Sequence, residues 1–246
     1  MSGITDDSLY GGRVFLAQPA KGHRAGTDAV LLAGAAPAKA GDRVLDVGAA
    51  TGAVGLMVAA REKGVRLAFV EQDEGLADLC RRNCRANGVE AEVFVADLLD
   101  KTSRRAAGLR PESADLVLTN PPFLEEGQAR ISPDRGRAAA HVLPSGGLEA
   151  WLKACLSLLK PKGRFVLIHR ADRLVECLEG LDGPLGGLSL RFVHPSADRP
   201  AIRVLISGSK GSRAPLVILP PLILNGSDGR FTPQAEALHR GEADLL

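Results

Sequence analysis

Residues 43–60, RVLDVGAATGAVGLMVAA, run from a buried strand (43–47) through a Gly-rich turn into an apolar helix from about Ala53 to Ala60. The same unit then recurs. A strand is expected over Arg66 to Glu71, a helix over 74–87 stopped by Gly88, a strand over 92–97 and another over 115–120. Beyond an irregular stretch rich in Arg and Gly, a helix over 147–160 leads through Pro161-Lys162-Gly163 into a strand over 164–169 and a helix over 171–181. Alternation of this kind builds a parallel sheet with helices on both faces, and right-handed crossovers make it doubly wound.

The expected fold class is therefore α/β and Rossmann-like, with a mostly parallel sheet. LSLRFVHP (188–195) and AIRVLISGSK (201–210) are separated by a short turn containing Pro200, so they should close the sheet as a C-terminal antiparallel hairpin. RAPLVILPPLIL (213–224) reads as one more strand interrupted by two prolines, followed by a mostly exposed tail with a short helix. With 246 residues, 45% of them apolar, the chain can bury one substantial core. A single domain is expected over 1–246, with an N-terminal extension (1–40), a core (41–224) and a tail (225–246). No apolar run approaches the ~18 residues of a membrane span, and the start MSGITDDSLY has no signal-peptide pattern, so a soluble, cytoplasmic protein is expected.

Cys80, Cys84, Cys155 and Cys177 are too scattered for a disulfide framework. Cys80 and Cys84 could share a helix face, yet nothing nearby completes a metal site, so buried thiols and no metal are expected. The net charge of +2 argues against a histone-like binder. Charge is uneven all the same: residues 71–100 carry eight acids against three bases, and residues 160–213 carry ten bases against five acids. The basic stretch is either a solvated surface or a contact for phosphates.

Asp46 opens the Gly-rich turn Asp46-Val47-Gly48-Ala49-Ala50-Thr51-Gly52, where Gly48 and Gly52 let the backbone approach a ligand. The glycines do not make the GxGxxG spacing of dinucleotide sites. Asp46 would also repel a pyrophosphate while attracting the ammonium of a methionyl group, which favours S-adenosylmethionine over NAD. Glu71, 19 residues after Gly52 at the end of the second strand, is placed for two ribose hydroxyls, and Asp97 at the end of the third could take the adenine amine. An acid at one strand end is most often solvated or capping the next helix; three at successive strand ends make a pattern.

Asn120-Pro121-Pro122-Phe123 ends the fourth strand, where two prolines are sensible just past a central strand. An amine conjugated to a ring or carbonyl is a poor nucleophile and needs two acceptors to hold its hydrogens. The side-chain oxygen of Asn120 and the main-chain oxygen of Pro121 can be those acceptors. Proline brings no donor of its own, and the residue before it is held extended. Phe123 offers a face on which a base turned out of its stack can lie. The amine loses its proton after methyl transfer, so His141, His169 and His194 are not required as bases.

Together these residues resemble the class I amino-methyltransferases, whose Rossmann-like sheet also ends in an antiparallel pair. More narrowly they resemble the bacterial family that methylates adenine N6 next to the anticodon of valine tRNA. In that likeness Gly22-His23-Arg24-Ala25-Gly26-Thr27-Asp28 and the helix Ala29-Val30-Leu31-Leu32 pack beside the cofactor, with Thr27 as N-cap and Thr27 or Asp28 as a cofactor contact. The resemblance places S-adenosylmethionine on Asp46, Glu71 and Asp97 and the reacting tetrad at Asn120 to Phe123. Phe123 stands where Tyr is frequent, and Ala50 where the middle Gly is usual. It implies an RNA substrate, tRNA first; the same tetrad occurs in enzymes of guanine amines in ribosomal RNA and of glutamine in release factors. Only 45 residues precede Asp46, too few for the helical domain of the glutamine enzymes, and Leu124 replaces the His that usually follows the tetrad in the guanine enzymes. Arg130, Arg135 and Arg137 follow the tetrad in an expected loop and either grip phosphates or stand solvated. A noncatalytic RNA-binding scaffold is the alternative from a different class.

Overall fold

The computed structural model describes residues 3–21, 24–122, 124–125, 142–143 and 147–246. The chain opens with a hairpin of β1 (Ile4–Leu9) and β2 (Val14–Pro19), antiparallel with Leu9 opposite Val14. Nothing in the alternation downstream called for it. Two asparagines on one later helix, α3 (Glu74–Ala86) and its end, bind β2 as a neighbouring strand would. Asn83 accepts from Ala17 N–H at 2.8 Å and donates to its carbonyl at 2.9 Å; Asn87 does the same with Phe15 at 2.9 and 2.7 Å. Positions four apart on a helix and two apart on a strand are separated by similar distances of about 6 to 7 Å, so the amides meet successive backbone groups.

Helix α1 (Thr27–Gly34) follows, and here an expectation is corrected. The N-cap is Gly26, in extended backbone, rather than Thr27, and no side chain caps the helix. Gly26 already supplies the carbonyl that Ala29 and Val30 N–H reach, which moves Thr27 into the first turn.

The central sheet then forms from β3 (Arg43–Val47), α2 (Ala53–Arg61), β4 (Arg66–Glu71), α3, β5 (Ala91–Val95), α4 (Lys101–Ala106) and β6 (Ala114–Thr119). The two-residue strands β7 (Leu124–Glu125) and β8 (Val142–Leu143) pair with each other in parallel. Helix α5 (Gly147–Leu158), β9 (Leu159–Arg170), a 3₁₀ turn at Ala171–Arg173, α6 (Leu174–Leu181), β10 (Leu185–His194) and β11 (Arg203–Lys210) complete it. The order across the sheet is β5-β4-β3-β6-β9-β11-β10. All of these pair in parallel except β11, which is antiparallel to both neighbours, so the expected closing hairpin is present.

Alternate residues of each strand feed two cores. Val44, Leu116, Leu118 and Val166 pack under α1 to α3, and Leu45, Val117, Phe165 and Leu167 under α5 and α6. Burial on both faces explains why these strands read as continuous apolar runs. Pro161-Lys162-Gly163 does not separate helix from strand as expected: it bulges within β9, where Ala114 faces Leu159 but Leu116 faces Arg164, and Lys162 takes φ 62°. The stretch 213–224 makes two short strands, β12 (Val217–Ile218) and β13 (Leu222–Ile223), both parallel to β10, because the two prolines between them cannot donate to a ladder. The tail is exposed at Ser227–Phe231 and then packs: Ala235 and Leu238 of α7 (Pro233–Arg240) and Leu245 are buried against α1, and Leu245 N–H donates to the Gly34 carbonyl at 2.9 Å.

Candidate active site

Four adjacent parallel strands, β5-β4-β3-β6, end at one level: Val95 pairs with Glu71, Val70 with Val47, and Val47 with Thr119. Asp97, Glu71, the turn after Val47 and Asn120 therefore stand along one edge, about 14 Å from the first strand to the last. The chain order reverses between β3 and β6, which makes this the topological switch point where open α/β sheets take ligands. Asp97 lies two residues beyond β5, since the strand stops at Val95 and not at 97 as expected. It is exposed, and one carboxylate oxygen accepts from Leu99 N–H at 2.8 Å.

The turn between β3 and α2 is pinned to β4. Gly48 and Ala49 N–H donate to the Val70 carbonyl at 2.9 and 3.0 Å, and Ala50 N–H to Glu71 Oε2 at 2.8 Å. Glu71 Oε1 takes Asp73 N–H at 2.9 Å. Each oxygen of a carboxylate has two lone pairs, so Glu71 keeps acceptor capacity for hydroxyl donors. Gly52 has φ 84°, and a Cβ there would stand 2.7 Å from Cys80 Sγ, so this position admits glycine alone. Ala50 sits at φ 47°, in the left-handed region, which costs a non-glycine residue about 1 kcal/mol.

Asp46 is buried beneath the turn and accepts from Gly55 N–H at 3.0 Å. Burial pushes its carboxyl up to about 7, against the Gly55 hydrogen bond and with the charge of Glu71 adding to the rise. Glu71 is raised in the same direction, again by burial first. Two buried acids held above their usual range form a site that gains from a cation.

At the end of β6, Asn120 is half-buried and its Oδ1 is enclosed without a hydrogen-bond partner among the described residues. An orphaned buried acceptor costs about 1 to 3 kcal/mol and aims at a donor the chain itself does not supply. Pro121 is buried and Pro122 half-buried, and neither brings an N–H that could occupy the acceptor.

Comparison with known proteins decides the family. The family model of the methyltransferase small domain matches residues 23–171. The chain belongs to the methyltransferase small domain family. A tRNA1(Val) (adenine(37)-N6)-methyltransferase of Porphyromonas gingivalis is 35% identical over 157 residues, covering 61% of this chain, which spans 60% of that protein's length. A protein of the same name from Erwinia tasmaniensis is 32% identical over 228 residues, 89% of this chain and 87% of the other. Among solved structures, a predicted O-methyltransferase from Agrobacterium tumefaciens superposes with a TM-score of 0.72 at 28% identity, covering 89% of this chain and 98% of that one.

For a methyltransferase of this class the cofactor is S-adenosylmethionine, and the residues present fit it: a turn that takes left-handed backbone at Gly48 and Gly52, raised acids beneath and beside it, and an orphaned acceptor one strand away. Asp46, Gly48, Gly52, Glu71, Asp97, Asn120, Pro121 and Pro122 share the edge that the sequence pattern assigned to them. Thr27 lies in the first turn of α1, and Asp28 beside it is engaged at 2.9 Å by Arg203, which pairs with Arg170 at the end of β9. Phe123, Arg130, Arg135, Arg137 and His141 lie outside the described residues. His169 is buried, and burial together with the charges of Arg173, Arg170 and Arg203 pushes it down to about 4.

Three residues that hold the turn and the strand ends along this edge went unread in the sequence. Asn83 donates to the Thr51 carbonyl at 2.9 Å while holding β2. Thr119 hydrogen-bonds the Val47 carbonyl at 3.0 Å, and Trp151 Nε1 donates to Thr119 Oγ1 at 2.9 Å. Trp151 is the chain's single tryptophan, a compositional signal that could have singled it out. Among the described residues no group of three or more His, Cys, Asp or Glu side chains gathers for a metal, the four cysteines are buried, and no helix is long and apolar enough to cross a membrane.

Proposed function

We propose that this methyltransferase moves the methyl group of S-adenosylmethionine to the exocyclic N6 amine of an adenine in tRNA, next to the anticodon. The observation that carries the reading is the enclosed Asn120 Oδ1 without a partner. It accepts one N–H of the amine, and the Pro121 carbonyl accepts the other, which leaves the nitrogen lone pair turned out of conjugation and aimed at the methyl carbon. Asp46 takes the cofactor's ammonium, Glu71 its ribose hydroxyls and Asp97 its adenine amine, while Gly48 and Gly52 supply the left-handed backbone that the turn needs over Trp151 and Cys80. The cofactor supplies an electrophilic methyl on sulfur, with S-adenosylhomocysteine leaving on the electron pair of the broken bond. The methylated nitrogen then sheds its proton to water, so a positioned base adds nothing, and catalysis is placement of amine against methyl. Phe123 is the stacking face for the extruded base in this reading.

The names carried by the Porphyromonas and Erwinia relatives support an adenine acceptor and the position beside the anticodon. An alcohol acceptor, as the Agrobacterium description would suggest, has one hydrogen to place and needs a base to take it. An amide oxygen accepts a hydrogen bond but does not take the proton, so Asn120 suits the amine.

Transfer of labelled methyl to total tRNA from a strain lacking the gene, followed by nucleoside mass spectrometry, tests this. N6-methyladenosine at one tRNA position is the expected product. Label appearing as methylguanosine or ribose methyl would reassign the acceptor, and an unlabelled tRNA pool would refute it and send the same assay to release-factor protein, where label would move the acceptor to glutamine.

A further inference from the structure

We infer that the Thr119 hydroxyl is a positioning group that locks the cofactor turn and the reacting corner to each other, with Trp151 holding that hydroxyl in place. The inference rests on the methyl-transfer reading of this site. Thr119 is the last residue of β6 and fully buried; its successor is Asn120. Val47 is the last residue of β3; its successor is Gly48. The two face each other in the ladder, and the Thr119 hydroxyl donates to the Val47 carbonyl at 3.0 Å. One side chain thus joins the strand end that carries the cofactor turn to the strand end that carries the reacting acceptor.

The Val47 carbonyl can only accept, so the hydroxyl proton goes to it, and Trp151 anchors the same hydroxyl from the other side: its indole Nε1 donates to Thr119 Oγ1 at 2.9 Å. The same indole ring lies beneath the turn. A Cβ at Gly48 would stand 3.0 Å from Trp151 Cζ2 and 3.3 Å from Cη2, which leaves the turn no room to sink toward α5. Trp151 therefore supports Gly48 from below while its nitrogen holds the bridge beside it. In-line transfer needs donor and acceptor atoms about 3 to 3.5 Å apart, and an error of about 1 Å between the two strand ends costs on the order of 100-fold in rate.

The test compares the full-length wild type with Thr119→Val, which keeps the shape and removes the hydroxyl, Thr119→Ser, which restores it, and Trp151→Phe, which keeps a ring and removes the donor. Because Trp151 is the single tryptophan, its emission reports the bridge directly. S-adenosylmethionine alone, without RNA, should change that emission in the wild type and change it less in Thr119→Val. Calorimetry with S-adenosylmethionine should show binding roughly 3- to 10-fold weaker in Thr119→Val. Transfer to tRNA should fall roughly 10- to 100-fold in kcat with KM for the RNA unchanged. Thr119→Ser should restore both, and Trp151→Phe should shift both in the direction of Thr119→Val, which keeps the inference testable if the valine variant does not fold. Wild-type affinity and kcat in a folded Thr119→Val, or a folded Thr119→Ser as impaired as the valine variant, would overturn it. A wild type that binds S-adenosylmethionine but methylates no RNA would sink the acceptor reading instead, and the affinity and emission comparisons would still decide the role of Thr119.

Discussion

Asp46→Asn should stabilise the protein without cofactor at pH 8 and do nothing for it near pH 4. The carboxyl is buried and its folded value stands at about 7 against an ordinary 3.8, a displacement of about three units. At about 1.4 kcal/mol per unit this is on the order of 4 kcal/mol as an upper bound. The folded state holds the proton more tightly than the unfolded chain, so the associated stability is complete below pH 4 and is lost as pH rises to about 7. Above that, the folded protein contains an ionised carboxylate in a dry site. Asparagine removes the charge and keeps an oxygen for Gly55 N–H. Allowing for relaxation around the ionised group, a gain of about 2 kcal/mol corresponds to a rise of about 4 to 8 °C in Tm for a chain of this length. Thermal melts of both proteins from pH 4 to pH 8 measure it. Saturating S-adenosylmethionine should reverse the order at pH 8, because the ammonium meets an ionised Asp46 in the wild type alone, and wild-type affinity should rise with pH through 7 as the proton leaves. If Asp46→Asn lowered Tm at pH 8 as much as at pH 5, the carboxylate would be stabilised where it lies and the argument from burial would fail.

Three other perturbations separate the parts of the site. Asn120→Ala deletes an acceptor with no partner among the described residues, so the melting temperature should hold or rise and cofactor affinity should hold while methyl transfer falls about 1000-fold, read by labelled-methyl incorporation and calorimetry side by side. Gly52→Ala combines φ 84° with a clash against Cys80 Sγ at 2.7 Å, and should abolish cofactor binding in calorimetry; Cys80→Ala added to it should recover part of the stability in urea unfolding but not the turn. Leu238→Ala, in the tail helix fully buried against α1, should lower the unfolding free energy by about 2 to 5 kcal/mol in urea and leave kcat unaltered at temperatures where the variant is folded.

The strand ends were legible because each lies within a few residues of its own signal: a run of apolar residues, then an acid, a glycine or Asn-Pro. What escaped joins residues far apart in the chain. The β1–β2 hairpin binds the molecule through amides 66 and 72 residues away, and ITDDSL, half-exposed and polar, gives no period-2 signature strong enough to announce a strand. Trp151 meets Thr119 across 32 residues, and no spacing rule links an indole on one helix to a hydroxyl at the end of a strand. Thr27 misled for a local reason: threonine is a good cap, yet the preceding glycine was already extended and took the role. The turn and the corner also carry the features that run against stability: Ala50 in the left-handed region, two acids raised by burial, and an enclosed acceptor without a partner. None of these is the choice of a chain selected for stability alone, and the raised acids and the orphaned acceptor are relieved by a ligand that brings a cation near Asp46 and an N–H to Asn120. A sequence optimised only for melting temperature would replace Ala50 by glycine and Asp46 by an amide, and the second change would remove the charge on which the proposed ammonium contact rests.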